Sequence, residues 1–406
     1  MPAVAPPRGA CLVQTGLLVA LLCLLAGCQT LPAWMVVQAR ALVTDYRHFD
    51  NAPMAPATTP WSLPVAPRDL RWPGGLTLAQ VQSWAAENDT LALLVLQRGQ
   101  LVYEGYYNGF ARESIGTSFS ASKSVVSLLV GVAMAEGRIA SVDDPVTRYL
   151  PQLLRNDPRF GAITLRHLLQ MRSGIAFDEG YGAPWTDASH FYLASNIPAQ
   201  VAKLGIARPP GQAYAYQSGD TQLLGMALER AVRMPLADYA QAKLWQPMGA
   251  EFDASWSLDS ANSGVAKGFC CLNARAVDFA RLGQLVLQGG ERDGKSIVPA
   301  EWLRASTAAQ RLSGATDADR RNIEDPGLPS AAFYAWQWRR SPLPRFDPRP
   351  VPSQVLSPGP HFYAEGLLGQ FIFIAPEAEM VVVRLGGSEG GVFWPGWMDA
   401  LARQNP

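Results

Sequence analysis

Lysine is scarce in this chain: of 34 basic residues only five are lysines, at positions 123, 203, 243, 267 and 295. Histidine is rarer still, with four in 406 residues, and there are five cysteines. No CxxC pair or histidine cluster accompanies those cysteines, so neither a metal nor any other cofactor is expected. An excess of charge is also missing, because 34 basic residues balance 34 acidic ones. A neutral chain gives no electrostatic footprint for nucleic acid, and none is expected as a partner. No internal repeat is visible. Apolar residues, in contrast, are plentiful: 48% of the chain is hydrophobic, with twelve Trp, twelve Tyr and fifteen Phe. That excludes a disordered chain and suffices for a large core, as one domain or two lobes.

The N-terminus reads as a targeting segment. Arg8 precedes an apolar run, Leu17 to Ala26, that is short for a membrane-spanning helix. The run ends in Leu25-Ala26-Gly27-Cys28. Small residues before a cysteine resemble a bacterial lipobox. The resemblance implies a lipoprotein signal peptide over 1–28, with Cys28 acylated and the exported chain anchored at a membrane, facing the periplasm. Gln29, where Asp would signal retention, implies the outer membrane. A plain signal peptide or an uncleaved anchor is the alternative. Residues 29–75 hold seven prolines (32, 53, 56, 60, 64, 67 and 73) and read as a tether that partly wraps the body. Cys11 and Cys23 leave with the signal. Cys270 and Cys271 are neighbours; a bridge between neighbours is uncommon, so two buried free thiols are expected.

The remainder, 76–406, reads as one α+β domain. Thr77 to Gln80 has capping-box spacing and opens a helix through Glu87. Leu91 to Gln97, the turn Arg98-Gly99 and Gln100 to Tyr107 predict a hairpin. Ser120 to Gly137 is apolar on nearly every side, which predicts a buried helix. From about 140 to 265 the pattern is mainly helical. A helix follows over Ala274 to Leu287, then strands at Gln370 to Ile374 and Met380 to Leu385, and a closing helix at Trp397 to Arg403. Ser341 to Pro360, with seven prolines, reads as a long ordered loop. Strands at both ends and helices between them predict a sheet built from both termini with an inserted helical lobe, and a cleft between the two.

The chemistry centres on Ser120-Ala121-Ser122-Lys123. Residues three apart share a helix face, so the Ser120 hydroxyl and the Lys123 amine can meet. A serine hydroxyl is a weak nucleophile until a base takes its proton, and a buried lysine can serve. S-x-x-K arises about once by chance in a chain this long. Here, however, Lys123 precedes a run with no polar face for it to occupy.

Thr117 to Ser124 resembles the nucleophile motif of the class C β-lactamase and penicillin-binding protein superfamily, which includes serine esterases and the 6-aminohexanoate-dimer hydrolases. Leu168-Leu169-Gln170-Met171-Arg172-Ser173-Gly174-Ile175 is most similar to the aminohexanoate hydrolase branch. Tyr216-Gln217-Ser218 resembles the second signature, and Gly366-Leu367-Leu368-Gly369-Gln370 falls at the third. The resemblance covers about 75–400 and implies a β-lactamase/transpeptidase-like fold, a mainly antiparallel sheet flanked by helices. It implies Ser120 as acylated nucleophile, Lys123 as base or relay, and Tyr216 as proton shuttle, with Tyr214 the rival. It implies an oxyanion hole from the backbone N–H groups of Ser120 and Gln370. Substrate contacts fall to Ser218, Leu367, Gly369 and, on a loop over the cleft, Tyr181 and Asp187. The third motif usually begins with Lys or His, and here that position is Leu367. Losing the cation weakens the case for substrates bearing a carboxylate and favours a neutral ester or amide. His361 and Arg339-Arg340 are nearby in sequence and are candidates to substitute for that cation, with solvated loop residues the favoured reading. The expected function is an acyl-enzyme hydrolase of esters or linear amides. The alternatives are a D-amino-acid peptidase or β-lactamase on cell-wall-type substrates, and a penicillin-binding-like sensor without turnover.

Overall fold

The computed structural model describes residues 41–181, 183–308, 310–311, 333–343 and 357–406. The targeting segment with Cys28, and the middle of the proline-rich stretch 341–360, lie outside the described residues. The capping box forms as expected: Thr77 and Gln80 cap the first long helix, α1 (Leu78–Glu87), from both directions. The hairpin follows, with β1 (Thr90–Gln97) and β2 (Gln100–Tyr106). Arg98 and Gly99 between them both have positive φ, the geometry that matches the twist of two paired strands.

The two strands belong to an eight-stranded antiparallel sheet. Its other members are β3 (Gln310–Arg311), β4 (Phe333–Tyr334), β5 (Arg339–Leu343), β6 (Ser357–Gly366), β7 (Gln370–Ala375) and β8 (Met380–Gly386). The spatial order is β3-β4-β5-β6-β7-β8-β1-β2. The last strand therefore returns to pair with the first, Val382 opposite Val95. All of β1 is buried because both sheet faces are covered. Successive side chains point to opposite faces. Ala92, Leu94 and Leu96 join the main core with α2 (Ser122–Ala135), whereas Leu93 and Val95 pack with Trp394, Met398 and Leu401 of the closing helix.

α2 is the centre of the molecule. Every residue from Ser122 to Ala133 is buried. Each fully buried Val or Leu there contributes about 1.5–3 kcal/mol. This is what a helix apolar all round requires. The helical region over 140–265 is built of short helices around α3 (Ser218–Val232), and α4 (Ala276–Leu287) returns to pack on β8. The α+β architecture is as expected. The expected tether is docked over its described part: Asn51–Met54 pairs with Ala254–Ser257 in a second sheet, which continues through Leu272–Ala274 to Gly116–Thr117. Among the described residues no helix is long and apolar enough to cross a membrane.

Two expectations are corrected. Cys270 and Cys271 are joined in a disulfide, not free. The loop there, with Cys271 at a positive φ, brings the two sulfurs within bonding range. Arg339, Arg340 and His361 are not solvated loop residues. They lie on β5 and β6, and His361 is buried against Asp399.

Candidate active site

Ser120 sits in the tight turn Phe119–Ala121 that leads into α2, and Lys123 follows one turn later. The Lys123 side chain cannot leave the protein interior, because its helix is buried on all sides. Its Nζ donates to Ser120 Oγ at 2.9 Å, to Ser218 Oγ at 3.1 Å and to the Phe269 carbonyl at 2.9 Å. An ammonium has three N–H donors, and all three are used. When Lys123 is neutral its lone pair can accept the Ser120 proton instead.

Ser218 opens α3, two residues after Tyr216. Its hydroxyl donates to Glu179 Oε1 at 2.7 Å and its backbone N–H donates to Glu179 Oε2. The Tyr181 hydroxyl donates to the same Oε1. A carboxylate at a helix N-terminus is in a favourable field. Burial nevertheless pushes the Glu179 carboxyl upward, against the opposing pull of Lys123 and of these hydrogen bonds. Glu179 lies on the loop expected over the cleft, but nothing in the sequence marks it as the partner of Ser218; a carboxylate in a loop has no spacing that assigns its contact.

The Tyr216 ring centre lies 5.0 Å from Lys123 Nζ and 5.2 Å from the Arg339 guanidinium carbon. Its rival, Tyr214, is fully buried against Tyr334 and Met171. The segment is held from behind. Ser173 Oγ and Gln217 Nε2 both donate to Asp220 Oδ1, and the Ala215 N–H donates to the Met171 carbonyl. The residues 168–175 singled out in the sequence therefore serve as the bed for Tyr216 and Ser218. Burial raises the Asp220 carboxyl to about 8.

The third motif meets Ser120 at Gly366. A Cβ on this glycine would lie 2.1 Å from the Ser118 carbonyl oxygen and 3.1 Å from the Ser120 nitrogen, so only glycine permits this approach. Leu367, Leu368 and Gly369 form the turn between β6 and β7, with Leu368 and Gly369 at positive φ. Gln370 braces that turn: its side-chain amide donates to the Leu367 and Gly386 carbonyls. Asp187 is placed at the start of the helix Asp187–Leu193, where its carboxylate accepts the Asp178 N–H and closes the loop. On that loop Tyr181 is 52% exposed and Trp185 is 76% exposed. The disulfide lies directly after Phe269, whose carbonyl holds Lys123.

The chain is similar to a 6-aminohexanoate-dimer hydrolase of Paenarthrobacter ureafaciens, 26% identical over 321 residues, 76% of this chain and 75% of that protein. It is also similar to esterase EstB of Burkholderia gladioli, 32% identical over 142 residues, 32% of this chain and 36% of that one. In fold it is similar to a solved structure described as a putative 6-aminohexanoate-dimer hydrolase from Bacillus anthracis. That match has a TM-score of 0.73 at 22% identity and covers 92% of this chain and 98% of the other. Residues 81–392 match the family model described as Beta-lactamase. With more than half of its length in that match, and with serine, lysine and tyrosine converging as described, the chain belongs to the β-lactamase family.

Proposed function

We propose that this protein is a serine hydrolase that cleaves a neutral ester or linear amide through an acyl-enzyme on Ser120. One observation carries the reading: Lys123 Nζ bonds Ser120 Oγ, Ser218 Oγ and the Phe269 carbonyl at once. In the first step the Lys123–Tyr216 pair takes the Ser120 proton and Oγ bonds to the substrate carbonyl carbon. The oxyanion is met by the Ser120 N–H and by an N–H of the turn 366–370. The approach of Gly366 to Ser120 favours the first N–H of that turn, Leu367, over Gln370 as the second donor. Tyr216 returns the proton to the leaving alcohol or amine as the C–O or C–N bond breaks. A water then yields a proton to the same pair, attacks the acyl carbon and frees Ser120. The names of the two sequence relatives support an amide or an ester as substrate, and the exposed Tyr181 and Trp185 suit a substrate with apolar surface.

The test is a panel of p-nitrophenyl esters, aminohexanoate oligomers, D-Ala-D-Ala peptides and nitrocefin, run beside Ser120→Ala. Turnover of esters or oligomers, lost in the variant by about 10⁴-fold or more, is expected. A fluorophosphonate that labels both proteins equally removes Ser120 from its role. Turnover of the peptides or nitrocefin alone moves the substrate class to the cell wall, and labelling without turnover makes the protein a sensor.

Residues 1–28 support a further part of the reading, that the protein is exported and anchored through lipidated Cys28 at the outer membrane, facing the periplasm. Labelled palmitate should enter wild-type protein and not Cys28→Ser, and the variant should leave the membrane fraction. Equal fractionation of the two proteins sinks the anchor.

A further inference from the structure

The third motif has a hydrocarbon, Leu367, at the position where the superfamily resemblance implies a cation. The neighbouring strand has a cation. Arg339 opens β5 and stands opposite Tyr363 of β6. Glu365 lies two residues further along β6, on the same face as Tyr363. Its carboxylate holds Arg339 Nε at 2.8 Å. Gly366, which abuts the nucleophile turn, comes next. The Arg339 side chain is 13% exposed. Burial works against its charge, but Glu365 and the surrounding tyrosines outweigh that and keep the guanidinium protonated. It lies over the Tyr216 ring at 5.2 Å, while Lys123 lies over the same ring at 5.0 Å.

We propose that Arg339, held by Glu365, is a positioning residue that takes over the part of the missing third-motif cation, orienting Tyr216 and stabilising the phenolate that accepts the proton. This rests on the reading of Tyr216 as proton shuttle. Among the described residues, the charged and titratable groups around Tyr216 come from several elements. Lys123 approaches from α2 and Arg339 from β5, with Glu365 of β6 bound to Arg339. Tyr181 approaches from the loop before Asp187, with Glu179 bound to it and to Ser218, while Tyr334 comes from β4 and Tyr214 from the same segment. Two cations thus stand against two carboxylates. Without Arg339 the carboxylates would outnumber the remaining cation, and a phenolate would be disfavoured. Because its Nε is committed to Glu365 and its largely buried guanidinium lies over the Tyr216 ring, Arg339 acts on the tyrosine rather than as a receptor for a substrate carboxylate. This agrees with a neutral substrate.

The experiment is kcat/KM against pH with p-nitrophenyl butyrate, for wild type, Arg339→Gln, Arg339→Lys, Glu365→Gln and Tyr216→Phe. The rate falls on the acid side as the proton acceptor becomes protonated. In Arg339→Gln that limb should move up by about one pH unit. In Arg339→Lys it should stay close to wild type. In Glu365→Gln, where Arg339 is left uncompensated, it should move down. Opposite shifts cannot come from general damage to the site, which would lower the rate at every pH. Limbs that stay in place in both neutral variants overturn the proposal. If Arg339→Gln does not fold, Glu365→Gln decides alone, a downward shift supporting the proposal and an unmoved limb overturning it. Full activity in Tyr216→Phe sinks the proton-shuttle reading itself. Loss of activity there, with unmoved limbs in the other variants, sinks only the role of Arg339.

Discussion

At the scale of single residues, the site divides into groups marked by local spacing and groups that are not. Ser120, in the turn that leads into α2, and Lys123, in the first turn of that helix, are three apart, so their meeting is a local fact that a sequence carries. Glu179 is 39 positions from Ser218, and only the folded loop brings its carboxylate to both donors of that serine. Glu179→Gln keeps the size of the side chain but turns an N–H₂ toward groups that donate. We expect kcat on an ester to fall about 10- to 100-fold, the range expected when a reacting group is misplaced. Tyr181→Phe removes one of the three bonds to Glu179 and should have a smaller effect. A wild-type kcat in Glu179→Gln would mean that Ser218 needs no such anchor. Arg339 was visible as a nearby cation but read as solvated, because proline-rich surroundings in the sequence resemble a loop. In the fold Pro342 lies within β5, and Pro358 and Pro360 lie within β6.

At the scale of elements, α2 was legible throughout, since its lack of a polar face could only mean burial. α3 falls within the region 140–265 that reads as mainly helical, but neither its bounds nor what fixes its start was legible. Ser173 and Gln217 donate to Asp220 in a fully buried cluster that ties α3 to the segment 168–175. The folded Asp220 carboxyl is raised to about 8 from an ordinary value of 3.8. In the pH window between these values the folded chain keeps a proton that the unfolded chain has lost. Stability from this group is therefore full below about 4, declines as pH rises toward 8, and stays flat above it. Asp220→Asn removes the titration and keeps an acceptor for Ser173 and Gln217. Thermal midpoints across pH 4–8 should fall less steeply in the variant than in wild type. Parallel curves would show that Asp220 is ionised in the folded state.

At the scale of the whole molecule, the chain closes on itself. β8 pairs with β1, and the segment before α1 pairs with a strand 200 or more residues away. Asn51 Oδ1 accepts from Ser257 Oγ at 2.9 Å and from Asn273 Nδ2 at 3.0 Å, and Met54 is buried. Asn273 also pairs opposite Thr117, three residues before Ser120. Deleting 41–60 should therefore lower Tm by at least about 5 °C, given roughly 1.5–3 kcal/mol for Met54 and about 1 kcal/mol for each lost hydrogen bond. It should also lower activity, because the second sheet carries the turn that presents Ser120. An unchanged Tm would show that the segment is only a tether.

The sequence by itself determined the elements whose signals are local: the capped first helix, the Arg98-Gly99 hairpin, the buried helix and the serine and lysine that share its face. It also carried the order of three motifs, enough to identify the superfamily and to expect an α+β fold. Tertiary structure decided everything that depends on distant segments meeting. It brought the Phe269 carbonyl, beside the Cys270–Cys271 bridge, to Lys123, docked the proline-rich segment, and placed Gly366 against Ser120. It set Glu179 and Arg339 on opposite sides of the charge balance around Tyr216. The physical reason is that periodicity and capping act over a few residues, whereas the field and the hydrogen bonds at Ser120 are made by side chains from five separate stretches of chain.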